Sequence, residues 1–119
     1  MADTAKLLKC LYDRFNARDI EAVLAMLHSD VVWANGMDGG HVYGHDGVRS
    51  YWKRQWAMID PHVEPNDFSA DVNGAFNVVV HQTVRDLDGN VLSDKKVGHI
   101  FRIDGGLIKR FDIRQDMAA

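Results

Sequence analysis

Apolar residues in the first half of the chain recur at helical spacing. Residues 4–16 form the first such segment, which Thr4 can cap. Asp19 can cap a second helix, whose buried stripe runs from Ile20 to Leu27. Residues 46–58 carry the same spacing and predict a third helix. The apolar positions of these segments are Leu7, Leu8, Leu11, Tyr12, Phe15, Ile20, Val23, Leu24, Leu27, Val48, Tyr51 and Trp52.

The remaining segments are rich in β-branched residues and predict strands. Residues 31–34 form a short strand, and the glycine-rich stretch 35–44 that follows favours no regular element over most of its length. Pro61 and Pro65 bracket a short connection. Strands are then predicted over 68–72, 76–85, 91–103 and 107–114, with turn signals at 88–90 and 104–106.

Two antiparallel hairpins in succession predict a curled sheet, and three helices can cover only one of its faces. This is an α+β arrangement. The length of 119 residues suits a single domain that spans residues 1–119. The valines at alternate positions of 76–85 predict that a second copy of the chain covers the other face, which would make the protein a homodimer through the sheet.

Composition narrows the class of protein. Apolar residues make up 46% and charged residues 26%, which is ordinary for a folded domain, and the single Cys10 excludes an internal disulfide. The net charge of −3 and the dispersed basic residues argue against nucleic acid or a membrane as partner. The sequence also lacks a membrane-spanning stretch and a signal peptide, so a cytoplasmic location is expected.

Four local strings resemble the nuclear transport factor 2-like superfamily and its SnoaL-like group. They are YDRFNARD at 12–19, LHSDVVW at 27–33, YGHDGVR at 43–49 and HIFRIDGGLI at 99–108. In that superfamily they match the end of the first helix, the junction with the first strand, the beginning of the third helix and the closing hairpin. The resemblance implies a cone-shaped, curved, mixed but mostly antiparallel sheet of the cystatin-like fold, packed against three helices around an apolar pocket for a small hydrophobic molecule.

The resemblance does not extend to ketosteroid isomerase chemistry. At the positions that match its tyrosine, its base and its acid, this chain carries Leu11, Asn35 and His99. The amide of Asn35 cannot accept a proton as a carboxylate does, so genuine ketosteroid isomerisation is not expected. The polyketide cyclases of the SnoaL-like group are more compatible, because they use a histidine and an aspartate on the last strands. His99 and Asp112 are the candidates for these positions.

The register of the last hairpin decides whether His99 and Asp112 meet. A two-residue turn at 105–106 places them directly opposite each other, with Cβ atoms roughly 5 Å apart. Asp112 would then orient the imidazole and favour its charged form, so that His99 could move a proton near neutral pH. A three-residue loop would turn the two side chains to opposite faces. The sequence leaves both registers open.

Other residues are candidates for the pocket wall. Trp33 and Asn35 share one strand face, although Trp33 could be core and Asn35 part of a turn. Trp52 and Trp56 lie one helical turn apart and form either an aromatic wall or part of the core. His81 is either a pocket group or an outer-face residue covered by a dimer partner. The predicted ligand-binding residues are Tyr12, Trp33, Trp52, Trp56, His81, Phe101 and Arg114, of which Arg114 can also pair with Asp112.

No metal or cofactor is expected. His41 and His45 lie near Asp38 and Asp46 around the glycine-rich stretch, but the spacing of these four residues is that of ordinary polar loop residues. The glycines of the same stretch do not follow the spacing of a dinucleotide-binding loop.

These observations support three hypotheses. The first is a cofactor-independent isomerase, cyclase or dehydratase that moves protons on a hydrophobic carbonyl compound, with His99 as acid/base, Asp112 as its orienter and Asn35 as a hydrogen-bond donor. The second is a non-catalytic binding module with the same pocket. The third is a dimeric interaction domain whose cavity is filled by side chains such as Trp33 or Trp56. The enzyme requires His99 and Asp112 to meet inside an open cavity.

Overall fold

The computed structural model describes residues 2–71 and 74–114, which form three helices and one six-stranded sheet. The helices are α1 (Ala2–Asn16), α2 (Ile20–Leu24) and α3 (Gly44–Met58). The strands are β1 (Leu27–Ala34), β2 (His41–Tyr43), β3 (Asp60–Ala70), β4 (Phe76–Arg85), β5 (Val91–Asp104) and β6 (Leu107–Arg114).

The sheet has the strand order β2-β1-β6-β5-β4-β3. All neighbouring strands are antiparallel except β1 and β6, which run parallel. The helices cover one face, where α1 packs against β3 and α3 packs against β1. The predicted α+β architecture, a curved and mostly antiparallel sheet with three helices, is therefore confirmed. None of the described helices is long and apolar enough to cross a membrane.

The hydrophobic core lies between the helices and the covered face of the sheet. Helix α1 buries Leu8 and Leu11, and α3 buries Val48 and Trp52, so the apolar stripes of both helices point as their spacing predicts. Burial of these side chains is the main favourable contribution to folding. The sheet contributes Leu27, Val31, Trp33, Val63, Val78, Val80, Val97, Phe101, Ile108 and Phe111.

The second helix is shorter than its apolar stripe predicts. Asp19 caps α2 by accepting a hydrogen bond from the backbone N–H of Ala22, but the helix ends at Leu24. Leu27 is buried as the first residue of β1, where it pairs with Ile108 of β6. Pairing with a neighbouring strand at this point outweighs the local preference for helix, so β1 is longer than the predicted strand 31–34.

The expected connection around Pro61 and Pro65 is wrong, because both prolines lie inside β3. This strand is at the edge of the sheet, where alternate N–H groups have no partner strand and a proline costs no ladder hydrogen bond. The pairing with β4 shifts by one residue just after Pro65. Residue 72, at the end of the predicted strand 68–72, lies outside the described residues.

The other strands follow the predicted pattern closely. The observed bounds of β4 and β6 equal the predicted ones, and β5 extends one residue further, to Asp104. Within the glycine-rich stretch, the short strand β2 pairs with the end of β1. This pairing was not predicted, because three residues are too few to show an alternating pattern.

Asn16, the last residue of α1, covers part of the exposed edge of β3. Its side-chain Nδ2 donates to the carbonyl of Val63 at 2.7 Å, and its Oδ1 accepts from the N–H of Val63 at 3.0 Å. The amide thus forms hydrogen bonds with backbone groups of the edge strand that would otherwise have no partner strand. This contact fixes α1 against the strand whose Val63 side chain lies in the core.

Replacing Asn16 with alanine should therefore lower the free energy of unfolding by about 2 kcal/mol, because two partly buried backbone groups lose their partner. Urea denaturation of the two proteins measures this difference. Asp13→Ala, an exposed change on the same helix, is the control and should cost less than about 0.5 kcal/mol. Equal stability of Asn16→Ala and the unchanged protein would contradict the assigned role.

Candidate ligand-binding site

A cavity of about 330 Å³ lies between the sheet and the helices. Strands β1, β3, β4, β5 and β6 contribute to its wall, together with α3, Phe15 of α1, and Gly36 and Met37 after β1. Apolar residues outnumber polar ones in this wall, and Tyr51, Gln55, Gln82, Ser93, Lys95 and His99 contribute polar atoms to it. The volume is in the range of small-molecule sites in proteins, which start at about 300 Å³.

Aromatic rings form one side of the cavity. Trp33 of β1 stacks on Phe111 of β6, with ring centroids 4.2 Å apart and an angle of 25° between the planes. Trp52 of α3 meets Trp33 edge-on at 5.2 Å. Each of these three side chains is at least nine-tenths buried and also lines the cavity. The two interpretations of Trp33 and Trp52, core and pocket wall, therefore both apply.

His99 of β5 is the histidine that lines this cavity. Its side chain is buried, with 6% of the residue exposed, and it lies edge-on to Phe111 at 4.8 Å. Its Nδ1 atom is 2.7 Å from the hydroxyl oxygen of Tyr12, which α1 brings to the same place. Helix α1 therefore supplies the only hydrogen-bond partner of His99 among the described residues.

The surroundings of Tyr12 decide which group donates in this hydrogen bond. Tyr12 is 3% exposed, and its hydroxyl has no other partner among the described residues. A buried O–H without an acceptor is costly, so the arrangement in which the Tyr12 hydroxyl donates to Nδ1 of His99 is favoured. In a neutral imidazole the proton then resides on Nε2, which is the donor atom of the ring.

Burial keeps both partners uncharged. It lowers the pKa of His99 from 6.5 to about 3, and it raises the pKa of Tyr12 well above its ordinary value. No carboxylate contacts either group among the described residues, so no opposite charge offsets the cost of removing an imidazolium ion from water. At neutral pH His99 is therefore an uncharged hydrogen-bond donor.

The expected pairing of His99 with Asp112 is wrong. The last hairpin does turn at 105–106, but a β-bulge at Lys109 then shifts the pairing by one residue. His99 lies opposite Ile113 instead, and the Asp112 side chain points to the outer face of the sheet. Because strand side chains alternate, one inserted residue is enough to move the carboxylate out of the cavity.

Asp112 has other partners on the outer face. His41 of β2 donates from Nε2 to one of its oxygens at 2.8 Å, and Arg110 donates from Nε to the other at 2.7 Å. Partial burial raises the pKa of Asp112, but the hydrogen bonds from Arg110 and His41 outweigh it and leave the pKa below its ordinary value. An acid/base role of Asp112 at His99 is therefore excluded by geometry.

Asn35 is a turn residue, which is the second of its two interpretations. Its Oδ1 accepts from the N–H groups of Met37 and Asp38 at 3.0 and 2.8 Å. The expected position of its side chain in the pocket is therefore wrong. The turn is useful to the cavity all the same, because it places Met37 in the wall.

Three other residues that were predicted to bind the ligand, Tyr12, Trp56 and Phe101, lie behind the wall and do not line the cavity. Trp56 stacks on Trp52 at 5.9 Å and on Arg18 at 5.0 Å, outside the cavity. Phe101 and Tyr12 surround a separate apolar space of about 40 Å³ that adjoins His99. Trp56 and Phe101 therefore support the site from behind.

The last two candidates are on the outer face of the sheet. His81 is exposed, and its Nε2 donates a hydrogen bond to Asp94 across the β4–β5 hairpin. Arg114 is exposed and lies opposite Gly98. The expectation that either residue contacts a ligand in the cavity is wrong, because alternation along β4 and β6 turns both away from it.

The loop histidines do not form a metal site. His41 binds Asp112, and His45 donates to the carbonyl of Leu27 at 2.9 Å. Across residues 2–71 and 74–114, no group of three or more histidine, cysteine, aspartate or glutamate side chains is placed to hold a metal ion.

Several polar residues of the wall were not predicted. The hydroxyl of Tyr51 accepts from the N–H of Gly36 at 3.0 Å and from Nε2 of Gln55 at 3.1 Å. Burial is the largest influence on Tyr51 and raises its pKa. Gln82 and Lys95 face each other across β4 and β5 and also line the cavity. Alternation along β5 places Lys95 on the same strand face as His99.

Solved structures with the same fold cover nearly the whole chain. A nuclear transport factor 2-like protein of unknown function from Burkholderia pseudomallei is 26% identical, with a TM-score of 0.84, and the match covers 98% of this chain and 92% of that one. TerC, co-crystallised with polyporic acid, is 23% identical, with a TM-score of 0.82 and coverage of 93% and 89%. A Mycobacterium tuberculosis protein in complex with estradiol-17β-hemisuccinate is 16% identical, with a TM-score of 0.80 and coverage of 97% and 95%.

Comparison with curated proteins finds no match. The family model described as the SnoaL-like domain matches residues 8–111, which include α2, α3 and β1 to β5 in full, and α1 and β6 in part. The similarity to solved structures agrees with this match. The chain therefore belongs to the SnoaL-like family, within the nuclear transport factor 2-like superfamily.

Proposed function

We propose that the protein binds a flat, hydrophobic compound that bears a carbonyl oxygen, and that His99 holds this oxygen. The observation that carries the proposal is the hydrogen bond of 2.7 Å between Tyr12 and Nδ1 of His99. It occupies one nitrogen of a neutral imidazole and leaves the other as a donor in an apolar cavity. A carbonyl oxygen is an acceptor that satisfies such a donor.

The shape and lining of the cavity support a flat occupant. Trp33 and Phe111 stack parallel to each other, and Trp52 closes the wall at a right angle to Trp33. Rings of this kind contribute a large apolar contact area to a bound ligand. The volume of about 330 Å³ suits a molecule of a few fused rings.

Solved structures of the same fold also support a small-molecule ligand. TerC was crystallised with polyporic acid, and the Mycobacterium tuberculosis protein with estradiol-17β-hemisuccinate. Two chains of this fold thus bind small molecules, and we extend that property to this one.

Binding and polarisation of a carbonyl fit the site better than proton transfer does. The acid/base reaction predicted from the sequence needs a histidine tuned by Asp112, and Asp112 lies on the outer face. A neutral imidazole N–H can still polarise a carbonyl group by hydrogen bonding. We therefore assign His99 the role of an electrophilic anchor for the oxygen.

The third hypothesis, an interaction domain with a filled cavity, is less well supported. Trp33 lies in the wall and Trp56 behind it, and neither fills the space of about 330 Å³. Dimerisation through the outer face of the sheet stays a prediction, as does a cytoplasmic location.

The His99 anchor should be measurable with estrone and with its deoxy analogue, which lacks the ketone oxygen. In the Tyr12→Phe background, which leaves no orphaned hydroxyl, changing His99 to leucine should weaken estrone binding about fivefold, the typical value of one hydrogen bond. Quenching of tryptophan fluorescence measures the affinity, since Trp33 and Trp52 line the cavity.

Two comparisons make this test decisive. The deoxy analogue should bind equally well with and without His99. Tyr12→Phe alone should weaken estrone binding, but by less than the added loss of His99, because it releases Nδ1 and no longer fixes the proton on Nε2 while the imidazole stays in place. Equal estrone affinity in the two variants would overturn the assignment of His99 as the anchor.

The buried neutral imidazole also predicts a dependence of stability on pH. The folded-state pKa of about 3 lies below the ordinary 6.5, so between these values the unfolded chain binds the proton and the folded chain does not. Relative to His99→Asn, which cannot titrate, the unchanged protein should lose up to about 1.4 kcal/mol of unfolding free energy per pH unit as the pH falls from 6.5. Above that pH the difference between the two proteins should be constant. A difference that does not change with pH would mean that His99 is not held neutral by burial.

A further inference from the structure

A second polar group in the cavity has a hydrogen that no described residue accepts. Tyr51 of α3 lines the cavity and is 6% exposed. Its hydroxyl oxygen accepts two hydrogen bonds, from the N–H of Gly36 at 3.0 Å and from Nε2 of Gln55 at 3.1 Å. Because these bonds occupy the acceptor positions of the phenol oxygen, its own hydrogen points in a third direction. Across residues 2–71 and 74–114, no group accepts that hydrogen.

The orientation of the Gln55 amide supports this assignment of donors. Gln55 contacts Tyr51 through Nε2, and its Oε1 is buried without a partner. Turning the amide over would place two N–H hydrogens at that unpartnered position instead. A buried N–H group without an acceptor is rarer in proteins than a carbonyl oxygen without a donor, so Nε2 stays on the side of Tyr51. The hydroxyl of Tyr51 is therefore free to donate.

The Tyr51 hydroxyl keeps its hydrogen at neutral pH. Burial is the largest influence on the pKa of Tyr51 and raises it above the ordinary 10.0. A buried hydroxyl hydrogen without an acceptor costs free energy, and a bound molecule that supplies an acceptor removes this cost. Tyr51, Gly36 and Gln55 all line the cavity, so an occupant of the cavity can reach this hydrogen.

The two donors, Tyr51 and His99, are held at different places around the cavity. The Tyr51 hydroxyl lies beside Gly36, just beyond the end of β1, and His99 is on β5. Strand β6 lies between β1 and β5. Since neighbouring strands are about 4.8 Å apart, the backbone positions beside the two donors are separated by about 10 Å. A flat molecule with oxygens on opposite edges can therefore contact both donors.

We propose that the natural ligand is a diketone or quinone with its two oxygens on opposite edges of a flat ring system, one bound by His99 and the other by Tyr51. This inference rests on the proposed function, since it adds a second anchor to the same site. Both anchors offer a hydrogen, and neither has an acceptor position left. A carbonyl oxygen at each end therefore suits the site better than a hydroxyl group, whose hydrogen would lack a partner there.

Anthraquinone and anthrone test the second anchor directly. They share one ring system, and anthrone lacks one of the two carbonyl oxygens. Anthraquinone should bind about fivefold more tightly than anthrone, which is the typical value of one hydrogen bond, because it alone can occupy both anchors at once. Quenching of tryptophan fluorescence measures both affinities, since Trp33 and Trp52 line the cavity.

Variants of two tyrosines show whether Tyr51 is responsible. Tyr51→Phe should weaken binding of anthraquinone about fivefold and that of anthrone less than about twofold, because anthrone keeps its hydrogen bond to His99. The same change should have the same effect in the Gln55→Leu background, which leaves no amide without an acceptor. Tyr43→Phe is the matched control, because Tyr43 lies on β2 and is 68% exposed. It removes the same group from the chain and should leave both affinities unchanged.

The outcomes separate this inference from the proposed function. If both compounds bind with equal affinity and Tyr51→Phe has no effect, the second anchor is wrong while the carbonyl site at His99 stands. If Tyr51→Phe weakens binding of the two compounds by the same factor, the change disturbs the cavity as a whole and the inference fails. If neither compound binds, the proposed function itself is overturned.

Discussion

The hydrogen bond between Tyr12 and His99 determines what the cavity can do. It joins the first helix to the fifth strand at 2.7 Å and occupies Nδ1 of the imidazole. Burial holds both groups uncharged, so Nε2 becomes a donor in a site to which no described residue contributes a carboxylate. The chemistry of the site thus depends on the packing of α1, which Asn16 fixes against the edge of the sheet.

Much of the fold could be predicted, because apolar residues recur along the sequence at clear helical and strand spacing. The long strands β4 and β6 appear within their predicted bounds, and the apolar stripes of α1 and α3 face the core. The errors occur where pairing with a distant segment overrides a local preference. Leu27 joins β1 because Ile108 lies beside it, and Pro65 is tolerated in a strand because β3 is at the edge.

The site was harder to predict than the fold, since it depends on single residues. His99 and Trp33 were candidates for the site and both line the cavity, but the bulge at Lys109 has no signal in the sequence and turned Asp112 outward. The role of Tyr12 depends on how α1 packs against the sheet. The spacing of apolar residues in the sequence does not determine this packing. Lys95 lies on the same strand face as His99, so the alternation of side chains along β5 is enough to predict that it lines the cavity.

The protonation state of His99 tests this account most directly. Nitrogen NMR shifts of histidine-labelled protein report which ring nitrogen carries the proton, and comparison with His99→Asn identifies the signal. We expect a neutral ring with the proton on Nε2, a bare Nδ1 that accepts from Tyr12, and no titration near pH 6.5. A proton on Nδ1, or a titration near that pH, would contradict it.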